Sequence, residues 1–405
     1  MEAARAKESG NIGEISAKQL SLEIARRKKT RTRVILGITL ILVVISILNM
    51  YSTALLSPDR RQIIRNHSAY LLLALAAGAI CSNISYRRFD GKRLCLLLLL
   101  GSVAGLVLML VGHNFLPKFF PRINNTKSWM RLGSIGFQPA EFLKLPFIIL
   151  IAHHLAYCEE HKLKNFAVVA NVLPVYFVFA VLILLQNDLG TAIHYGLILC
   201  FMLFFARIDM LYILGAGGLA LSSLSGLTLW LLSLGGQNIK GYKLKRIWLF
   251  ITGLTRGEYD PDIGYQVGQS ILAFGNGGWK GQGYSNGILK HGYLPETRTD
   301  FILATLGEEF GFIGLLVIFI LFFLLFTLTR STAMDVGRPF GRYLAVGIGG
   351  FLMTQMFINL FVVIGLLPVM GVPMPILSYG GTSILTIFLA LSMIMNMNFQ
   401  TNDGQ

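Results

Sequence analysis

The stretch Gly264–Gly314, GYQVGQSILAFGNGGWKGQGYSNGILKHGYLPETRTDFILATLGEEFGFIG, is long, rich in glycine and placed between two strongly apolar segments. A stretch of this length without a regular pattern of its own is usually either functional or disordered. Large apolar side chains, among them Phe274, Trp279 and Tyr293, are interleaved through it, and disordered segments contain few of these. We therefore predict a structured loop that carries a site. The alternative is a solvated connector that aromatic residues anchor at a membrane surface.

The composition of the whole chain is that of a membrane protein. Of its 405 residues, 54% are hydrophobic and 14% are charged, and the mean hydropathy is +0.64, whereas soluble domains carry about 25% charged residues. The formal net charge is +15, but the cations cluster at 26–33 and 87–93, next to apolar runs. This pattern is typical of cytoplasmic loops. Since no nucleic-acid-binding module accompanies the charge, we expect no nucleic-acid partner.

Apolar runs long enough to cross a bilayer of about 30 Å recur along the chain. They predict an all-α integral membrane protein with about ten transmembrane helices and a large structured extracytoplasmic loop, 234–311, between spans seven and eight. The first run follows a basic cluster and has no small-residue cleavage site after it, so we expect it to remain as a signal anchor. The predicted spans are 34–50, 68–84, 94–112, 140–156, 167–185, 189–206, 211–233, 312–329, 343–366 and 380–397.

The predicted organisation is a basic cytoplasmic tail (1–33), a ten-span domain (34–397) and a short cytoplasmic C-terminal tail (398–405). Besides the large loop, the outer side receives the loops 113–139 and 367–379, and proline and glycine are concentrated there. Irregular backbone at membrane depth is tolerated only where it is buried in protein or lines a wet cavity. The outer half is therefore predicted to contain a cavity, with its chemistry facing outward.

Ionisable residues beside apolar sequence mark candidate sites on this outer side. Trp129 and Arg131 precede Glu141 and Lys144, and the last two are three residues apart on one face of a predicted helix. A simple intrahelical ion pair is the alternative interpretation of that pair. Asp188, in the motif QNDLGTA, stands at the start of the sixth span, where an N-cap is an equally good interpretation.

A further cluster, Asn359 with Pro373, Pro375 and Ser378, breaks a span beside the predicted cavity and is interpreted as mainly architectural. The sequence has no metal-ligand spacing, P-loop, serine triad or thiol nucleophile. What remains is a set of carboxylates and fixed cations around an outward-facing cavity. This combination suits an anionic lipid-linked substrate, because cations can hold phosphates while a carboxylate takes a proton from an attacking hydroxyl. Four cysteines are interpreted as packing residues: Cys81, Cys95, Cys158 and Cys200.

Five motifs resemble those of the SEDS family (shape, elongation, division and sporulation), typified by RodA and FtsW. They are FQPAEFLK, QNDLGTA, GYQVGQS with GNGGWKGQG, YLPETRTDFILATLGEEFGFIG, and GLLPVMGVPMPILSYGGTS, spread over about 34–397. The resemblance implies a ten-span peptidoglycan glycosyltransferase that joins lipid II into glycan strands on the outer face of the bacterial cytoplasmic (inner) membrane, in cell elongation or division. It also implies a class B penicillin-binding protein as the partner.

The resemblance places the catalytic role on Asp300, and it matches Trp129, Glu141 and Asp188 to further family motifs. The donor is α-linked through pyrophosphate and the product is β-linked, so an inverting displacement is expected, with Asp300 as the general base for the acceptor 4-hydroxyl. Where the family usually has histidine, this chain has Arg298, a permanent cation two residues from that base. The candidates for pyrophosphate stabilisation are Arg131, Lys144 and Arg298. The other substrate-binding candidates are Gln266, Gln269, Glu296 and Ser378.

Two other functions are compatible with the same residues. A flippase for lipid-linked precursors is the main alternative, and a noncatalytic scaffold of the wall-building complex is the other. The motifs require no cofactor and leave a divalent cation, Mg²⁺ or Mn²⁺, open. Between the two branches, NMYSTA and the short C-terminal tail resemble RodA, whereas GYQVGQS and LKHGYLPE resemble FtsW, and we favour RodA slightly.

Overall fold

The structure is a computed structural model that describes residues 2–123, 126–133, 135–215, 217, 218, 222 and 264–400, with only the backbone for 2–21, 132 and 135. In this part of the chain almost every regular element is helical. The helices are α1 (Glu2–Thr53), α2 (Arg60–Cys81), α3 (Lys92–Phe115), α4 (Pro139–Phe142), α5 (Lys144–Glu160), α6 (Asn165–Leu185), α7 (Leu189–Phe205), α8 (Tyr265–Gly277), α9 (Ile302–Asp335), α10 (Pro339–Val363) and α11 (Gly381–Phe399). A 3₁₀ helix (Tyr86–Asp90) precedes α3, and the strands β1 (Met130–Leu132) and β2 (Ile135–Phe137) form an antiparallel hairpin.

The prediction of an all-α membrane protein is confirmed. Among the described residues, eight helical stretches are long and apolar enough to cross a membrane, and α7 is a ninth, shorter apolar helix of 17 residues. Their positions agree with nine of the ten predicted spans. The other predicted span, 211–233, lies largely outside the described residues, as does the part 234–263 of the predicted large loop.

The last residues of that predicted loop are helical, and the predicted start of span eight at 312 directly follows the non-helical residue Gly311. Helix α9 begins at Ile302 rather than at 312, so Glu308 and Glu309 lie in a helix and not in a loop. The loop also has regular structure of its own, since α8 occupies 13 of its residues. The helical period of α9 is interrupted at Gly311, which has φ 64° and ψ −167°.

The glycine-rich segment after α8 fills this break in α9. The amides of Phe312 and Ile313 donate to the carbonyls of Gly278 and Trp279 over 2.9 and 3.2 Å, and the Glu308 carbonyl accepts from the amide of Gln282 over 2.9 Å. Backbone groups freed by a helix break are costly inside a membrane protein unless something pairs with them. The segment therefore continues the hydrogen bonding that α9 loses at its break.

The side chains of the two glutamates in α9 hold the rest of the loop. The Glu308 carboxylate accepts hydrogen bonds from the amides of Ile288 and Leu289, each at 3.1 Å. The Glu309 carboxylate lies 2.5 Å from the Lys290 ammonium, and neither side chain of this pair is exposed. These carboxylates are thus engaged in fixing the loop.

Helices α5, α10 and α11 form the centre of the bundle, whereas α2 and α3 lie at its periphery. In α10 and α11, 78% of the apolar window is buried, against 22% in α2 and α3. Small residues allow the central helices to approach closely. A Cβ added at Gly347 would lie 2.5 Å from Ile148 of α5, and one added at Gly350 would overlap Phe201 of α7.

The basic segments of the chain meet at one end of the bundle. Arg31 pairs with Asp335 at 2.6 Å, and His153 pairs with Asp90 at 2.9 Å. Arg342 pairs with Glu159 at the same end. We call this end the basic end. Asp300 lies just before the opposite end of α9, so the prolines, glycines and candidate site residues collect one helix length away from these cations.

Candidate active site

Asp300 lies in a tight turn that leads into α9. The turn begins at Glu296, whose φ is 54° and whose carbonyl accepts the amides of Thr299 and Phe301 at 3.1 and 3.2 Å. The Glu296 carboxylate accepts the Thr299 hydroxyl at 2.7 Å. Glu296 itself is exposed and Asp300 is half-buried. The local sequence thus presents the Asp300 side chain at the edge of the protein interior.

Three consecutive carbonyls in this turn are held by two distant parts of the chain. The carbonyl of Arg298 accepts the amide of Tyr379 at 2.7 Å, and that of Thr299 accepts the Ser378 hydroxyl at 2.6 Å. The carbonyl of Asp300 accepts the side-chain amide of Asn359 at 2.9 Å. Since every backbone carbonyl from 298 to 300 is fixed, the position of the Asp300 side chain is also restricted.

The loop between α10 and α11, which supplies Ser378 and Tyr379, is itself fixed by contacts with α1 and α2. Ile376 has φ 63°, and its carbonyl accepts the buried Ser46 hydroxyl at 3.0 Å. Ser46 also contacts the His67 ring nitrogen Nε2 at 2.9 Å, and the His67 ring stacks on Tyr379 at 5.9 Å between centroids. The architectural interpretation of this loop agrees with its contacts.

A small cleft of about 60 Å³ brings Asp300 together with residues from three other parts of the chain. We call it the Asp300 cleft. Its lining includes Trp129 before β1, Glu141 of α4, Gly371 and Tyr379. An added Cβ at Gly371 would lie 4.0 Å from the Asp300 carboxylate. The predicted residues Trp129, Glu141 and Asp300 therefore share one cavity.

A larger cleft of about 430 Å³ adjoins it, and we call it the Arg131 cleft. The two clefts share Trp129 and Tyr379, so they form one continuous depression. Arg131 is exposed on β1 and lines this second cleft, as does Tyr70 of α2. A cation and aromatic rings thus stand beside the carboxylates of the Asp300 cleft.

Glu141 and Lys144 form the ion pair that was the alternative interpretation of their spacing, with Glu141 in α4 and Lys144 at the start of α5. The Lys144 ammonium lies 2.5 Å from one Glu141 oxygen, and the two side chains are 0% and 3% exposed. The other Glu141 oxygen is buried and has no hydrogen-bond partner among the described residues. Glu141, but not Lys144, lines the Asp300 cleft. Lys144 therefore compensates the negative charge of Glu141 without lining the cleft itself.

The interpretation of Asp188 as an N-cap is confirmed. Its carboxylate accepts the amide of Thr191 at 3.1 Å, at the start of α7. The other carboxylate oxygen accepts the side-chain amide of Gln138 at 2.9 Å, and Gln138 lines the Asp300 cleft. Burial raises the pKa of the Asp188 carboxyl, while the bonds to Thr191 act in the opposite direction. Asp188 is therefore linked to the cleft through Gln138.

The remaining residues predicted to bind substrate differ in their contacts and in their burial. The Arg298 guanidinium donates to the carbonyl of Thr53 at 3.3 Å, at the end of α1. Ser378 is buried and its hydroxyl also accepts the amide of Met374 at 2.8 Å. Gln266 and Gln269 are half-buried on α8, and they line neither the Asp300 cleft nor the Arg131 cleft.

Sequence reasoning missed Tyr70 as a residue of the site, and it grouped Gln138 with Trp129 and Glu141 without its contact to Asp188. Tyr70 lies in an apolar span, and its ring meets that of Tyr379 edge-on at 6.0 Å. Its position three residues after His67 puts both on one face of α2, which is the one local signal that could have been used. Gln138 bonds to Asp188, 50 residues away in the chain, and local pattern gives no indication of such a contact.

Together, the Asp300 cleft and the Arg131 cleft can position a hydroxyl and an anionic group next to each other. Asp300 provides a fixed carboxylate, Arg131 a permanent cation and Trp129 an apolar surface between them. A carboxylate within reach of a hydroxyl can act as a general base, and a nearby cation stabilises a leaving phosphate. Among the described residues, no group of three or more His, Cys, Asp or Glu is arranged to hold a metal ion.

Comparison with known proteins gives a family match over nearly the whole chain. The family model FTSW_RODA_SPOVE, described as "Cell cycle protein", matches residues 28–403. A protein of Geobacter sulfurreducens named probable peptidoglycan glycosyltransferase FtsW is 36% identical over 338 residues, 83% of this chain and 85% of that protein. A protein of the same name from Geobacter sp. (strain M18) is 33% identical over 382 residues, 92% of this chain and 98% of that protein.

Two solved structures have a similar fold. One is described as "Structural coordination of polymerization and crosslinking by a peptidoglycan synthase complex", with 24% identity and a TM-score of 0.71 over 91% of this chain and 97% of the matched chain. The other is the crystal structure of the rod shape determining protein RodA of Thermus thermophilus, with 23% identity and a TM-score of 0.63 over 90% of this chain and 95% of that one. At this level of identity the likeness establishes the fold.

Proposed function

The chain belongs to the family of FtsW, RodA and SpoVE cell cycle proteins, and on this premise we propose that it is a peptidoglycan glycosyltransferase that polymerises lipid II. The relatives named above support the activity. The observation that carries the proposal at the level of residues is the Asp300 cleft, which joins Asp300 to Trp129 and Glu141. The branch, RodA or FtsW, stays a prediction, because relatives of one name and a solved structure of the other both match.

We assign the general base to Asp300. Its carboxylate takes the proton from the acceptor 4-hydroxyl while that oxygen attacks the anomeric carbon of the donor and the lipid pyrophosphate leaves. A single displacement inverts the anomeric centre, as the change from an α-linked donor to a β-linked product requires. The three fixed carbonyls at 298–300 support this assignment, because a base must be held within hydrogen-bond reach of the proton it removes.

The candidate cations divide into two groups by their surroundings. Arg131 is exposed beside the Asp300 cleft and is our choice for the pyrophosphate. Arg298 is closer to Asp300 in the chain, and its guanidinium contacts Thr53, so it has a smaller role in phosphate binding. Lys144 is completely buried against Glu141, and we assign it to positioning Glu141 rather than to the substrate. Trp129 and Gln138 complete the substrate surface.

The orientation follows from the distribution of charge. The basic end carries the cation clusters, and such clusters favour the cytoplasmic side. We therefore place both termini in the cytoplasm and the Asp300 cleft on the outer face of the bacterial inner membrane. A class B penicillin-binding protein, which would crosslink the strands on that same face, is the proposed partner.

The test is polymerisation of labelled lipid II by the purified full-length protein with its class B partner, comparing wild type with Asp300→Asn at equal folded amounts. Loss of a general base is expected to lower the rate by about 10²- to 10⁴-fold. Asp59→Asn is the matched control, because Asp59 is exposed on the same side and its side chain caps no helix amide. It should retain the wild-type rate.

Other outcomes would change the assignment. Equal polymerisation by wild type and Asp300→Asn would keep the enzyme and remove Asp300 as its base. The absence of polymer from any variant, with lipid II still moving between leaflets of vesicles that contain the protein, would favour the flippase. If neither activity is found but the partner still binds, the scaffold function would be favoured.

A further inference from the structure

A second large pocket opens at the basic end, far from Asp300. Its volume is about 650 Å³, and it lies between the ends of α5, α6, α7, α9 and α10. One of its residues, Arg330, is near the end of α9, whereas Asp300 precedes the start of that helix. At a rise of 1.5 Å per residue, the two are separated by roughly 40 Å along the helix. The pocket is therefore distinct from the Asp300 cleft.

The lining of this pocket carries an excess of positive charge. Glu159 is its one carboxylate, and Arg342 pairs with it, while the Tyr343 hydroxyl donates to the same carboxylate at 2.6 Å. Three further cations line the pocket, and within the described part of the chain no carboxylate forms an ion pair with any of them: Lys162, Arg207 and Arg330. All three are exposed.

Two of these cations occupy backbone positions that normally suit glycine. Lys162 follows the end of α5 with φ 51°, and Arg207 follows the end of α7 with φ 58°. In each case the next amide donates to the helix carbonyl five residues back, from Leu163 at 3.0 Å and from Ile208 at 3.3 Å. This is the Schellman ending, in which a left-handed residue follows the helix and is usually glycine.

The same protein uses glycine for this ending elsewhere. After α10, Gly365 has φ 78°, and the amide of Leu366 donates to the Phe361 carbonyl at 2.7 Å. A left-handed conformation costs a residue with a side chain about 1–2 kcal/mol. The left-handed backbone therefore favours glycine over Lys162 and Arg207, whereas the helix dipole favours a cation there by about 0.3–1 kcal/mol. Both side chains line one pocket.

Buried and half-buried apolar side chains form another part of the pocket lining. Leu155 and Val346 are on α5 and α10, and Val168 and Phe205 come from α6 and α7. Asn165, also in the lining, donates to Asp209, which lies just beyond Arg207. A rim of exposed cations next to apolar side chains between membrane helices matches a molecule that has an anionic head and an acyl chain.

We propose that this pocket binds an anionic phospholipid from the leaflet at the basic end, with its phosphate on Lys162, Arg207 and Arg330 and one acyl chain between α5, α6 and α7. Basic pockets between membrane helices on the cytoplasmic side are suited to anionic head groups. Arg342 stays paired with Glu159 and forms the fixed side of the rim. The proposed lipid site requires that the basic end lies at a membrane leaflet, and it is independent of the proposed glycosyltransferase activity.

The test is native mass spectrometry of the full-length protein in detergent with added phosphatidylglycerol or phosphatidylcholine. Wild type should retain phosphatidylglycerol in preference to phosphatidylcholine. In Lys162→Gly/Arg207→Gly/Arg330→Gln the retained phosphatidylglycerol should fall about tenfold or more, because three cations leave the rim. The two glycine substitutions suit the left-handed backbone, so the fold should be unaffected, which the melting temperature can verify.

A control with the same loss of charge is available at the same end. Arg88→Gln/Lys92→Gln/Arg93→Gln removes three exposed cations that do not line this pocket, and it should retain phosphatidylglycerol within about twofold of wild type. If the two triple variants lose the lipid equally, general attraction to a basic surface is the cause and the proposal is wrong.

A third variant distinguishes a lipid from free phosphate. Ala206→Trp fills the apolar part next to Arg207 without changing charge, and it should lower lipid retention severalfold. If Ala206→Trp retains the lipid normally and inorganic phosphate displaces it, the pocket is a phosphate site and the lipid proposal is wrong.

Discussion

The two ends of the bundle differ in how deeply their ion pairs are buried. Near Asp300, Glu141 and Lys144 are both buried, and their side chains form an ion pair. At the basic end Lys28 is buried, but the described ion pairs keep at least one partly exposed side chain, and Lys162 and Arg207 lie on short turns and remain exposed. The first end uses long loops with many prolines and glycines, whereas the second needs only tight helix endings.

This difference indicates what the loops on the Asp300 side do. A buried charge is stable only when it is paired and hydrogen-bonded. The loops provide those partners and leave a carboxylate fixed at a cleft, so stability and activity are coupled at this end. At the basic end, charge contributes to binding and orientation, and the fold should tolerate its loss. Each of the following predictions tests one side of this contrast.

The largest effect is expected from Lys144→Met. It leaves the Glu141 carboxylate buried without its cation, and breaking a buried pair in this way costs about 3–5 kcal/mol. Thermal unfolding of the purified protein, followed by circular dichroism, should show the loss. Glu141→Leu/Lys144→Met removes both charges and should recover most of the stability. If the double variant is as unstable as the single one, packing rather than unpaired charge explains the effect.

The next largest effect is expected from Gly281→Ala in the segment that fills the break in α9. Gly281 has φ 81°, and an added Cβ would overlap the carbonyl of Glu309. The strain and the overlap together should lower the free energy of unfolding by about 2–3 kcal/mol. Gly275→Ala is the control, since Gly275 is exposed inside α8 and a Cβ there meets nothing within 4 Å. That change should be neutral or stabilising, and equal melting temperatures for the two variants would contradict the prediction.

A smaller effect on stability, with a clear effect on rate, is expected from Ser378→Ala. It leaves the Thr299 carbonyl and the Met374 amide without their shared partner, at a cost of about 1–3 kcal/mol. Because the turn then holds Asp300 less firmly, kcat should fall about tenfold while KM changes little. Ser378→Thr keeps the hydroxyl and should restore much of kcat. A raised KM with normal kcat would instead indicate that Ser378 binds substrate.

Sequence reasoning succeeded where the physical signal is local. Apolar runs located nine spans, although the starts of α2 and α9 lie eight and ten residues before the predicted ones, because hydrophobic length is a property of consecutive residues. The Glu141–Lys144 pair and the Asp188 cap were also predictable, since each depends on a spacing of three residues. In these cases the partner is within one helical turn of the residue that needs it.

Sequence reasoning failed where the hydrogen-bond partner of a residue comes from a distant part of the chain. Glu308 and Glu309 were expected in a loop because glycines and charges surround them, yet they are helical since the segment 278–283 completes the hydrogen bonding of α9. In the same way, Asn359 lies 59 residues from the Asp300 carbonyl that it fixes. Whether a charged residue lines a cleft or closes a core depends on such tertiary contacts, as the burial of Lys144 illustrates.

The smallest effect is expected from two substitutions at left-handed helix endings, Lys162→Gly after α5 and Gly365→Ala after α10. These two variants also test the contrast between the two ends most directly. Lys162→Gly removes the conformational strain of a left-handed lysine, which stabilises the folded state. Glycine also increases the conformational entropy of the unfolded chain, which destabilises the folded state. The free energy of unfolding should therefore change by less than about 1 kcal/mol. Gly365→Ala forces a side chain into φ 78° at an ending of the same type and should cost about 1 kcal/mol. Chemical or thermal denaturation of both variants measures the two changes side by side. If Lys162→Gly is the more destabilising of the two, Lys162 supports the fold through its side chain, and charge at the basic end is structural after all.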